Sequence, residues 1–119
     1  MQELRHSNAP SAMVSTAVVQ LMQKYTGRGP TKAKTVINHD LVTVLLANTL
    51  TTGERTLVEA GHSERVLEVR HDYQVAMRED LIAIVERQLD REVIAFMSQN
   101  HIEPDLAIEV FVLEPVEAG

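Results

Sequence analysis

The hydrophobic period of this chain switches three times, from helical spacing to strict alternation, back, and to alternation again. Val14, Val18, Leu21 and Tyr25 recur at helical spacing. Pro10 suits the first turn of that helix, Gly27 stands at its end, and Pro30 forbids continuation. From Ala33 to Leu50 the period becomes two, and the polar stretch Asn38, His39, Asp40 divides two apolar runs, which predicts a hairpin. Its second strand carries Val42, Val44, Leu46 and Leu50 on one face, the expected core face. Thr51 followed by Glu54 is a capping box that starts a helix. That helix runs to Ala60, breaks or bends near Gly61, and resumes through Leu89 on a stripe that includes Val66, Val69, Met77, Leu81 and Val85. Val93–Met97 and Leu106–Leu113 form a second hairpin joined by a polar connection from Ser98 to Asp105.

The order α-β-β-α(-α)-β-β predicts an α+β fold: a two-layer sandwich in which helices gather mainly on one face of a four-stranded, mostly antiparallel sheet. One domain is expected over 1–119, with loose tails at 1–7 and 115–119. Residues 106, 108, 110 and 112 share one face of the last strand, and Ala107, Glu109, Phe111 and Leu113 the other. Phe111 and Leu113 are expected beside Leu45 and Ala47 on the side away from the core. That side is then more apolar than a solvated sheet should be, and a homodimer covering it is expected. The second helical segment would be ~40 Å long, against ~30 to 35 Å for a compact domain of this size. It either bends around the sheet or reaches a second subunit.

With 17 acidic and 11 basic residues the formal charge is −6, the wrong sign for binding that rests on neutralising phosphates, so no nucleic-acid partner is expected. The chain has no cysteine, which excludes disulfides, thiolate metal sites and cysteine nucleophiles. No apolar run approaches the ~20 residues that span a bilayer, and the first ten residues do not read as a secretory signal. The expected location is cytoplasmic, without direct membrane insertion.

The most distinctive text is GRGPTKAK, Gly27 to Lys34. Lys24, Arg28, Lys32 and Lys34 cluster there without an intervening acid in an otherwise acidic chain. Gly27 and Gly29 permit close backbone approach, and the cations suit a carboxylate, a phosphate or an acidic partner; a helix stop followed by a solvated strand entry explains the same residues. No Gly-Lys-Ser/Thr follows, so no phosphate loop is implied. The five histidines lack paired metal-ligand spacing, and Ser63 and Ser98 lack an elbow context, so no metal, cofactor or catalytic residue is expected. The charged helix from Glu64 to Arg91 reads as a solvated face, with Arg70 and Arg78 on one side as the positions of interest.

GRGPTKAK, LTTGERTLVEAG at Leu50 to Gly61, Arg70, REVIAFMSQ from Arg91, and AIEVFVLEP at Ala107 to Pro115 together resemble the MpsC-like family, whose name associates it with a sodium-translocating, membrane-potential-generating system. That family often has glycine where Asp90 stands here and an acid where Gln99 stands. The resemblance implies a small cytoplasmic accessory protein with no established active site. A chain with no spanning segment does not itself translocate an ion.

The leading expectation is therefore a non-enzymatic accessory or regulatory module, homodimeric, serving a membrane-embedded transport subunit of a sodium-translocating or bicarbonate-uptake type system. Its binding residues would be Gly27, Arg28, Gly29, Lys32, Lys34 and Arg70. The rival from another class is a small-anion-binding module using the same loop. A single-stranded RNA-binding fold is opposed by the charge and by the absence of a Gly-x-x-Gly clamp.

Overall fold

A computed structural model describes residues 9–116 of the chain. Helix α1 (Ala9–Thr26) leads into strands β1 (Lys32–Asn38) and β2 (Leu41–Ala47). The short helix α2 (Thr52–Glu59) and the long helix α3 (Ser63–Leu89) follow, then β3 (Val93–His101) and β4 (Leu106–Leu113). The expected tail at 1–7 lies outside the described residues, as do residues 117–119.

The two hairpins join through their second strands into one antiparallel sheet of order β1-β2-β4-β3. Helices α1 and α3 cover one face. Val14, Val18 and Met22, four residues apart on α1, pack with Met77, Leu81, Ile84 and Val85 of α3 over Val42, Val44 and Leu46. The alternate positions of β1 and β2 therefore divide cleanly between core and open face.

Local signals are obeyed closely. Thr51 Oγ1 accepts from the amide of Glu54 at 3.1 Å, and a Glu54 carboxylate oxygen accepts from the Thr51 amide at 2.8 Å, so both halves of the capping box are made. Gly27 and Gly61 end their helices at φ 80° and 88°, the left-handed region where a Cβ would be strained. Asp90 occupies the same kind of position after α3, with φ 54° and ψ 46°. That geometry accounts for glycine being acceptable there, and Asp is among the few residues that visit it.

Three expectations are corrected. Phe111 and Leu113 are fully buried in the core and do not lie beside Leu45 and Ala47. Phe111 pairs with Val42 and Ala107 with Leu46, and directly opposed residues share a face, so the odd positions of β4 belong to the core. The buried Glu109 in the middle of that set makes it look solvated in sequence. Second, β3 continues through Ser98 to His101 where a connection was expected, because its polar residues remain paired with β4. Third, Val69 of the expected inner stripe is 40% exposed. Near the start of α3 the partner is the small helix α2, which covers Val66 and Arg70 and leaves Val69 in solvent.

Candidate functional site

The glycine-basic segment lies between α1 and the edge strand β1, and its cations have different fates. Arg28 turns inward: its Nη1 donates to the carbonyl oxygens of Asn48 at 2.9 Å and Leu50 at 2.6 Å. Gly29 is tightly placed, since a Cβ there would meet Val19 at 3.2 Å. Gly27 has open space around it and serves the turn. Lys32 and Lys34 are exposed on β1, two residues apart and therefore on the same side of the strand, and form no ion pair among the described residues.

Arg70 is 3% exposed and belongs to a different grouping from the lysines. Its Nε and Nη2 grip the two carboxylate oxygens of Glu54 at 3.0 and 2.8 Å, a bidentate pair, and Nη2 also donates to the carbonyl of Thr49. Arg28 and Arg70 thus converge on successive carbonyls of the connection Asn48-Thr49-Leu50. Asp105, from the β3–β4 turn, holds the same connection through its donors. Its carboxylate accepts from the Thr49 amide at 3.0 Å, the Thr49 hydroxyl at 2.9 Å, the Leu50 amide at 3.0 Å and Arg55 Nη2 at 3.0 Å. A connection between a strand and a helix leaves backbone groups without ladder partners, and buried ones must be satisfied. The two arginines and Asp105 do this here. The segments 27–34 and 50–61, Arg70 and the second hairpin, separate in sequence, are tied together at this clamp.

A second feature, between α3 and β3, was anticipated only in the interest attached to Arg78, which lines it. An open cleft of about 150 Å³ is lined by His71, Gln74, Arg78, Phe96 and Ser98. Behind it Glu109, 2% exposed, projects from β4 into the core side of the sheet. Ser98 stands directly opposite on β3, with its Oγ 2.5 Å from both carboxyl oxygens. Burial pushes the Glu109 carboxyl up to about 7, against the lowering influence of the Ser98 hydrogen bond and of the charge on Arg70. Gln74 adds a buried amide nitrogen with no partner among the described residues. The Arg78 guanidinium lies 5.5 Å from the centre of the Phe96 ring, which is 5.1 Å from that of Phe111.

This arrangement can change charge near neutral pH. It is not an assembled nucleophile: Glu109 bonds Ser98 directly, and among the described residues His71 hydrogen-bonds neither. One sequence signal pointed to it, a single carboxylate on the face that also carries Ala107, Phe111 and Leu113. No group of three or more potential metal ligands occurs among the described residues.

The family model described as "Na+-translocating membrane potential-generating system (MpsC)" matches residues 9–115. The chain belongs to the MpsC family. The matched span runs from the first residue of α1 to just beyond β4, so it includes the clamp, the cleft and the whole sheet. No curated protein and no solved structure matches the chain. No helix among the described residues of this MpsC-family chain is long and apolar enough to cross a membrane.

Proposed function

We propose that the chain is an accessory, regulatory protein of a sodium-translocating, membrane-potential-generating system, and that it acts by docking to a membrane-embedded subunit rather than by chemistry. The observation that carries this reading is the division of the basic residues. Arg28 and Arg70 hold the fold together through backbone carbonyls and Glu54, whereas Lys32 and Lys34 project from an edge strand with no acidic partner among the described residues. In a chain of net charge −6 such a pair attracts an acidic surface and orients the approach of a partner. The clamp anchors the loop that leads into this strand, since Arg28 is bonded to the carbonyls of Asn48 and Leu50.

Detergent-solubilised native membranes passed over the tagged chain test this. The expected result is retention of an integral membrane transport subunit at low salt, identified by mass spectrometry. Release should occur on raising salt, because exposed charge pairs are screened, and K32E/K34E should abolish retention. Equal retention by that variant, or retention of soluble proteins alone, would overturn the reading.

A further inference from the structure

No described helix covers the second face of the sheet. Leu41 and Leu45 of β2 are 44% and 41% exposed, Val36 of β1 is 48% exposed and Met97 of β3 is 53% exposed. Register places Leu45 opposite Ile108, and Val110 between Thr43 and Met97, so the apolar side chains form one continuous patch across all four strands. Antiparallel sheets with one covered face ordinarily alternate apolar inside with polar outside. Here the even positions of β4 are apolar throughout.

We propose that this face is the interface with a second copy of the chain, packed sheet to sheet about a twofold axis parallel to the strands. Three observations favour a second copy. The first is self-complementarity. A twofold axis along the strands lays β1 of one copy over β3 of the other and stacks each cross-strand row on itself reversed. Lys32 and Lys34 then lie at the rim beside His101 and Gln99, which occupy the same two rows at the opposite edge, and Val36 faces Met97. The lysine stems lie against the second copy, and their ammonium groups are left in water for another partner. Polar meets polar at the rim and apolar meets apolar in the middle, the ordinary anatomy of an interface. An axis across the strands would instead seat Lys34 over Val36 and gather both copies' lysines along one edge.

The second observation is size. Strands about 4.8 Å apart and rising about 3.3 Å per residue give four seven-residue strands a face of roughly 19 by 23 Å. With side-chain relief, two copies bury on the order of 1,000 to 1,400 Å², above most crystal-packing contacts and at the lower end of specific interfaces. The third is the edge itself. Lysines on β1 discourage strand addition at that edge and favour association through the face. Sheets so packed stand about 10 Å apart with strands within about 30° of one another.

This inference does not rest on the accessory role, and its test measures only self-association. Light scattering behind a size-exclusion column, at tens of micromolar protein, should give twice the chain mass of 13.3 kDa. Leu45→Glu should give the single-chain mass. Its new carboxylate stands opposite Lys34, a pairing that supports the folded monomer but leaves a buried charge at the centre of the dimer. Self-association should weaken at least about a hundredfold. Should that variant fail to fold by circular dichroism, Met97→Lys on the exposed edge strand replaces it, with the same expected loss.

The chain has no cysteine, so introduced pairs report the axis. V36C/M97C should cross-link into covalent dimers, and V36C alone should not. A wild-type mass of 13.3 kDa, or a variant that folds and remains dimeric, would overturn the proposal and assign the face to another occupant. Self-linking of V36C alone would overturn the axis.

Discussion

The buried carboxyl of Glu109 makes the stability of this protein depend on pH in a direction opposite to that of most carboxylates. Its folded value, about 7, lies above the ordinary value of 4.5. Between those values the native chain holds a proton that the unfolded chain releases, so stability falls as pH rises through the window. At pH 5 the native carboxyl is still protonated, whereas the unfolded one, already above its ordinary value of 4.5, is mostly ionised. At pH 8 the native state carries an ionised carboxylate shielded from water, with Ser98 beside it and the charge of Arg70 acting favourably on it. Each unit of difference corresponds to about 1.4 kcal/mol, and integrating from pH 5 to pH 8 gives a loss on the order of 2 to 3 kcal/mol. That is a sizeable part of the ~5 to 15 kcal/mol of a typical domain. Urea unfolding followed by circular dichroism at a fixed protein concentration, from pH 5 to pH 8, measures it. Glu109→Gln keeps a polar partner for Ser98 without the titration. It should flatten the profile and be more stable than wild type at pH 8 by about the same 2 to 3 kcal/mol. A wild-type profile that is flat or rises toward pH 8, or a slope that survives the substitution, would refute the argument.

The clamp supplies two further expectations. Arg70→Ala should destabilise the chain by about 3 to 5 kcal/mol, because it strands Glu54 and the Thr49 carbonyl in a buried setting; thermal and urea unfolding would both register the loss, and a change below about 1 kcal/mol would mean that solvent replaces the guanidinium. Arg28→Ala should cost about 1.5 to 3 kcal/mol through the carbonyls of Asn48 and Leu50, whereas Lys32→Ala and Lys34→Ala should stay within about 0.5 kcal/mol, so equal melting shifts across the three variants would remove the distinction between them.

Much of the local architecture is legible in the chain because the signals are short-range. A capping box needs only Thr51 and Glu54 three residues apart, and a helix stop needs only Gly27 or Gly61 where the backbone must turn left-handed. Alternation identifies Val42, Val44 and Leu46 as one face of a strand, and packing under α1 and α3 makes that face the core. The basic loop is equally visible as a cluster. Its separation into an inward Arg28 and outward Lys32 and Lys34 is not visible, because it depends on the position of a connection some twenty residues away.

Alternation in the last strand has a period but no sign: it states that Phe111, Glu109 and Ala107 share a face, not which face. The register of β4 against β2 and β3 supplies the sign, and a one-residue slip would reverse it. The same register sets Ser98 opposite Glu109 and turns a carboxylate that looks solvated into a buried titrating group. Arg70 follows the same logic, since a lone arginine on a charged helix becomes structural only when α2 folds back to bring Glu54 against it. The elements, their order and most of their ends follow from torsions and spacing within a few residues; the end of β3 does not, because its polar residues Ser98 to His101 count as strand only through their pairing with β4. Which face is dry and which charges are internal emerge on folding, because burial depends on neighbours that are far apart along the chain.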